Sequence, residues 1–203
     1  IVRWWQVARM VRRAKSLEAH SDVLASARVL AKRRFAVRLK TVEGRMSPAV
    51  CGWFRPVILL PRELVETLSP GQFRAVLLHE LFHLRRGDVW VNCAQALLQI
   101  VYWWHPLLWL ANARIRRLRE EAVDDAVMLA LRDEADNYAP TLLEVAKLTF
   151  RRPLLSLGLV GIMESRSALR QRIERLVDFR APRKAGLTFA SLCGIFVFSA
   201  VAL

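Results

Sequence analysis

The run Ser69–Gly87 reads SPGQFRAVLLHELFHLRRG. Ser69 suits a helix N-cap, Pro70 the first helical position and Gln72 the third, so serine and glutamine can close a capping box. Gly87 suits the stop, because glycine enters the left-handed backbone conformation without a side-chain clash. The helix between them turns once every 3.6 residues, which puts His79 and His83 on one face a single turn apart. Two imidazoles in that relation both reach a zinc ion at about 2.0–2.1 Å. Glu80 lies beside the same face, where a carboxylate can take a proton from water and hand it to a leaving amine. His-Glu-x-x-His on a helix is the pattern of zinc metalloproteases. With 4 His and 11 Glu in 203 residues, chance produces it about 0.4% of the time. Phe73, Val76, Leu77, Leu81 and Phe82 make this a buried helix, on which unpartnered imidazoles are unfavourable. The residues point to a Zn2+ site with His79 and His83 as ligands and Glu80 as general base.

A catalytic zinc takes a third protein ligand. His20 and His105 are the remaining histidines, but the acidic run Glu120-Glu121-Ala122-Val123-Asp124-Asp125 fits better. It lies in a helical stretch, Arg114 to Arg132, and holds two overlapping Glu-x-x-x-Asp pairs. In either pair the glutamate can bind the ion while an aspartate one turn later orients a ligand histidine. The competing role is neutralisation of Arg114, Arg116, Arg117 and Arg119 at helical spacing. The residues alone leave Glu120 and Glu121 as alternatives.

Upstream, residues 16 to 34 read as a helix. Phe35 to Val42 alternates like a strand, and Ala49 to Leu60 carries a turn at Gly52 before the apolar run Val57-Ile58-Leu59-Leu60. These predict two or three strands of a small sheet, with an edge strand near Val57–Leu60 to which a substrate backbone can add. Downstream, Asn137 to Thr149 and Ser167 to Val177 read as helices. The expected class is α+β and mostly helical.

Apolar residues make up 54% of the chain while Lys and Arg number 32 against 18 acids, a formal charge of +14. Nucleic-acid binding would account for the charge but not for the apolar runs, so no direct nucleic-acid contact is expected. A membrane accounts for both, since basic residues gather on the cytosolic flanks of membrane segments. Ala185 to Leu203 has no charged residue, follows Arg180, Arg183 and Lys184, and as a helix spans about 28 Å. It reads as a transmembrane helix. Residues 1–15 mix Trp4, Trp5 and Met10 with five basic residues, and read as the end of an upstream membrane helix or as an amphipathic helix. Cys51, Cys93 and Cys193 have no paired spacing, which fits a reducing compartment. The start at Ile1 reads as a segment of a longer protein. Residues 16–184 would form a cytosolic domain.

Val89 to Ala113 is a second uncharged stretch. A single crossing there would put His79 and the acidic run on opposite sides of the bilayer. The break at His105-Pro106 resolves this: residues 89–104 make an arm of about 24 Å and residues 106–120 return by about 22 Å. The expectation is a helical hairpin over 89–120, dipping into or lying against the membrane. Asn92, Gln95 and Gln99 form a stripe facing the protein, while Trp103, Trp104 and Trp109 suit the interface.

SPGQFRAVLLHELFHLRRGD followed by YWWHPLLWLANARIRRLREEAVDDAVM resembles the membrane-embedded metallopeptidase domain of the BlaR/MecR beta-lactam sensor-transducers. Arg55–Pro61 upstream, and Tyr138-Ala139, Leu142-Leu143 and Leu169–Ile173 downstream, extend the resemblance over roughly residues 35–178. It implies a gluzincin-like site with His79, His83 and Glu120 as metal ligands, Asp124 in support and Glu121 at a variable position. The family usually carries Asn before the hairpin proline, where this chain has His105, a residue suited to capping the turn or to the interface. The resemblance further implies a multi-pass protein of the inner (cytoplasmic) membrane, its active site facing the cytosol, that signals by cleaving a transcriptional repressor or itself. Two other readings share the motif: a membrane-protein quality-control protease and a zinc-binding signalling module that no longer cuts. Tyr138 and Arg170 are the polar candidates for stabilising the transition state, although packing and helix-surface roles suit them better.

Overall fold

The computed structural model describes residues 9–17, 20–31, 37–44, 46–52, 55–150 and 166–179. The expected transmembrane span Ala185–Leu203 and residues 1–8 lie outside them. Four short strands, β1 (Lys15–Ser16), β2 (Arg38–Val42), β3 (Ala49–Cys51) and β4 (Val57–Pro61), form a mixed sheet in the order β1-β2-β4-β3. β2 and β4 are parallel, Arg38 opposite Val57 and Val42 opposite Pro61. β1 and β3 run antiparallel to their neighbours. Helices complete the α+β fold: α1 (Ser21–Leu30), α2 (Arg62–Thr67), α3 (Pro70–Arg86), α4 (Asp88–Val101), α5 (Pro106–Leu131), α6 (Tyr138–Phe150) and α7 (Arg166–Val177), with a 3-10 segment at Arg132–Asn137.

Two expectations need correction. β4 is a central strand, not an edge, and all five of its residues are buried. Ile58 and Leu60 point into the main core, while Val57 and Leu59 join Val42 and Ala14 on the opposite face, packed by Met10 and Val11. A continuous apolar run is what a strand covered on both faces requires, whereas a half-exposed strand alternates. The edge nearer α3 is β3. The helix expected over residues 16–34 is also shorter, beginning at Ser21, because Ser16 pairs with Lys40 in the sheet.

α3 is the axis of the main core. Its N-terminus closes as a capping box, the Ser69 hydroxyl accepting from Gln72 N at 3.3 Å and Gln72 Oε1 accepting from Ser69 N at 3.0 Å. Gly87 ends it at φ 74°, and α4 starts at the next residue. Phe73, Leu77, Leu78 and Leu81 are almost wholly buried among Leu24 and Ala27 of α1, Ile58 and Leu60 of β4, and Val123, Val127 and Leu131 of α5. At about 25 cal/mol per Å² of apolar surface removed from water, this burial dominates the stability of the fold.

α4 and α5 form the expected hairpin, turning at residues 102–105. Gln95 of α4 and Asn112 of α5 are buried, and Arg119 of α5 donates to Asn92 Oδ1 of α4. The outer surface is apolar: Trp90, Leu97, Ile100, Trp103, Trp104 and Leu110 are all more than half exposed. Among the described residues no helix is long and apolar enough to cross a membrane by itself.

Gly52 makes the turn between β3 and β4 at φ 89°, and a Cβ there would lie 2.8 Å from the Arg55 carbonyl oxygen. Gly52→Ala is therefore expected to destabilise the protein by more than ~1 kcal/mol. Thermal unfolding followed by tryptophan fluorescence checks this, and an unchanged melting temperature would contradict the turn geometry.

Candidate metal centre

α5 packs on α3 through Val123, Val127 and Leu131. On a helix, residues 120, 123, 124, 127 and 131 share that stripe, so Glu120 and Asp124 face α3 with the apolar residues. His79 Nε2 and His83 Nε2 are 3.1 Å apart, and Glu120 Oε2 is 3.6 Å from each. These three groups form the one cluster of His, Cys, Asp or Glu able to hold a metal among the described residues. A tetrahedral zinc with bonds of about 2.0–2.1 Å keeps its ligand atoms roughly 3.3–3.4 Å apart. Two imidazole nitrogens and a carboxylate oxygen in this triangle fit such an ion and leave a fourth position open.

Glu121 is turned about 100° away. Its carboxylate accepts from Arg117 Nε at 2.9 Å, the in-helix pairing considered for the acidic run. Asp124 and Asp125 instead meet Arg172 and Arg175 of α7. His105 sits exposed at the hairpin turn, and Arg170 is exposed and paired with Glu174 at 2.7 Å.

Both ligand-type imidazoles are held from behind. His83 Nδ1 donates to Asp88 Oδ2 at 2.7 Å. His79 Nδ1 is 3.6 Å from Asp124 Oδ1, too far for the direct support expected, because the Tyr138 hydroxyl stands between them at 2.7 Å from each. Tyr138 has one proton, and it goes to Asp124. Its oxygen therefore accepts from His79 Nδ1–H, which leaves the lone pair of His79 on Nε2, facing His83 and Glu120. Asp88 and the relay role of Tyr138 were not read from the sequence. Asp88 carried a faint signal, five residues after His83 and just past the Gly87 stop. Tyr138 lies 59 residues from His79, beyond any local rule.

The electrostatics follow from burial and from these contacts. Burial pushes the Glu80 carboxyl up, against the pull of His83 and His79. Burial opposes charge on His83, yet Asp88 and Glu120 outweigh it and push the imidazole up to about 10. Glu120 is held well below the usual carboxylate range despite burial, because the two imidazoles beside it favour its charged form. Ligation requires a neutral His83, so an arriving cation displaces its proton. Burial, and then the charge of Glu80, raise the Cys51 thiol to about 11, which puts the end of β3 in the field of that carboxylate.

A His-x-x-x-His face with a carboxylate from a neighbouring helix, and a glutamate between the histidines, is the arrangement of a metallopeptidase. The chain belongs to the BlaR1 peptidase M56 family, which matches residues 1–176. It is 30% identical over 154 residues to the regulatory protein BlaR1 of Bacillus licheniformis, covering 73% of this chain and 25% of that protein. Over 99 residues it is 27% identical to the methicillin resistance mecR1 protein of Staphylococcus aureus, covering 48% of this chain and 17% of that protein. The matched region thus spans a quarter or less of the length of these relatives.

Glu120→Ala is expected to abolish stoichiometric zinc binding, while Glu121→Ala leaves it nearly intact. Asp88→Asn should weaken binding by about 10–100-fold, the usual effect of losing a carboxylate that orients a ligand histidine. Chelator competition with the purified variants measures all three. Loss of zinc in Glu121→Ala with retention in Glu120→Ala would reverse the assignment.

Proposed function

We propose that this chain is the zinc-dependent endopeptidase part of a membrane-bound signal transducer, cleaving a cytosolic transcriptional repressor or the transducer itself. The observation that carries the reading is the triangle of His79 Nε2, His83 Nε2 and Glu120 Oε2, with sides matched to a tetrahedral ion, on a helix that also bears Glu80. His79, His83 and Glu120 hold the ion in a gluzincin-like site. Zinc, when bound, supplies Lewis acidity toward water and a peptide carbonyl. Glu80 takes a proton from the attacking water and delivers it to the departing amine, and its upward shift by burial brings it nearer the working pH of a general base. A buried carboxylate beside the ion has no purpose in a module that only binds zinc, which favours catalysis. The substrate backbone adds to the outer edge of β3, the strand whose Cys51 lies in the field of Glu80.

Membrane attachment is supported by the α4–α5 hairpin. Its apolar outer surface would be an aggregation liability in water. Trp103, Trp104 and Trp109 cluster at its tip, with Trp109 Nε1 donating to the Trp103 carbonyl at 2.9 Å, a composition suited to the lipid headgroup level. Arg114, Arg116 and Arg117 follow on α5, where they can meet anionic lipid. We assign the tip to the inner-membrane bilayer and the metal centre to its cytosolic side. The repressor as substrate is what the family resemblance implies, and it accords with the name of one relative, a regulatory protein.

Glu80→Gln keeps size and most hydrogen bonding but cannot accept a proton at neutral pH. It should retain zinc and lose cleavage by at least ~10²–10⁴-fold, read by mass spectrometry of membranes from cells expressing the full-length protein. Cleavage at the normal rate would remove Glu80 from the mechanism. For topology, single cysteines at Asp88 and Arg116 should be equally protected from an impermeant outer reagent in intact cells. Labelling of one and not the other would mean a true crossing.

A further inference from the structure

Asp124 is fully buried, and it lies one turn beyond Glu120 on α5. A carboxylate with no access to water needs a compensating charge. It comes from α7, 48 residues away: Arg172 Nε donates to Asp124 Oδ2 and Nη2 to Asp124 Oδ1, both at 2.8 Å. The third nitrogen, Nη1, is 3.5 Å from Glu120 Oε2, the same oxygen that faces His79 and His83. Arg172 is itself buried. One planar guanidinium therefore spans both carboxylates of the Glu-x-x-x-Asp pair, a task that needs its fork of donors and that a lysine cannot copy. Asp124 Oδ1 also accepts from Tyr138, which accepts from His79. Glu120 is contacted by Arg172 directly, and His79 is reached through Asp124 and Tyr138. Arg175, one turn on, makes the parallel contacts on the outer side, to Asp125 Oδ1 at 2.6 Å and the Glu121 carbonyl at 2.8 Å, without touching this chain of bonds.

Building on the metal-site reading above, we infer that Arg172 is the positioning residue of the centre, its guanidinium fixing Glu120 and, through Asp124 and Tyr138, His79 in the geometry that accepts the ion. Arg175 only fastens α7 to α5. Arg172 needs no contact with substrate to act in this way.

The test uses the full chain in detergent, with zinc affinity by chelator competition and the visible absorption spectrum of the Co2+-loaded protein as readouts. Arg172→Lys keeps the charge opposite Asp124 but loses the fork. It should lower zinc affinity by about 10–100-fold and shift the cobalt bands, as should Arg172→Ala. Arg175→Ala should lower the unfolding temperature while leaving affinity and spectrum unchanged. Tyr138→Phe, which removes the hydroxyl between Asp124 and His79 and leaves both carboxylate contacts of Arg172 in place, should change the spectrum in part. If neither single Arg172 variant folds, R172Q combined with D124N, which removes both charges together, carries the test, and wild-type affinity in that double variant overturns the inference. Wild-type affinity and spectrum in Arg172→Lys, or equal effects in Arg172→Lys and Arg175→Ala, overturn it as well. A wild-type chain that binds no zinc would sink the metal reading itself, whereas zinc binding indifferent to Arg172 would sink only this inference.

Discussion

The buried charge of Asp124 is the constraint around which the helices meet. An ionised carboxylate without solvent loses several kcal/mol of hydration, and removing one partner from such a pair destabilises by about 3–5 kcal/mol. Asp124 therefore requires donors, and they come from two other helices: Tyr138 at the start of α6 and Arg172 on α7, with His79 of α3 bonded in turn to the Tyr138 hydroxyl. Any rotation of α5 would strand the charge. The requirement thus locks α5 against α3 in the one orientation that turns Glu120 to the two imidazoles.

The apolar core supplies the bulk of the stability, but it cannot choose that orientation alone. Leu, Val and Ile contacts are non-directional and tolerate small slides and rotations. Hydrogen bonds to Asp124 are directional and tolerate little. The division of labour is visible along α5, where Val123, Val127 and Leu131 hold the helix against the core while Glu120 and Asp124 set its rotation. α3 has the same character: its apolar face is buried, and His83 is aimed from just beyond its stop by Asp88.

The hairpin follows a different logic. Its polar residues point inward, with Asn92 joined to Arg119 and Gln95 and Asn112 buried, while its tryptophans and leucines point outward. That is the inverse of a water-facing helix pair, and it motivates the assignment of the tip to lipid. The hairpin also returns α5 to α3 within about thirty residues, which lets an apolar excursion and a shared site coexist.

Local chemistry determined the helix of the metal motif by itself. Ser69, Pro70 and Gln72 start it, Gly87 stops it, and the 3.6-residue period puts His79 and His83 on one face, each a relation between residues about one turn apart or less. The hairpin turn at His105-Pro106 was legible for the same reason. Between Glu120 and Glu121 the residues alone left both open and only the family resemblance favoured Glu120, because adjacent helical positions differ by a rotation that neighbouring elements decide. Tertiary packing turned Glu120 inward through the Val123 and Val127 stripe. It also made β4 central rather than an edge, since strand order depends on pairing between distant segments. Arg172 and Tyr138 join the site from 48 and 14 residues beyond Asp124, and no spacing rule reaches across intervening helices whose directions are set only when the core closes.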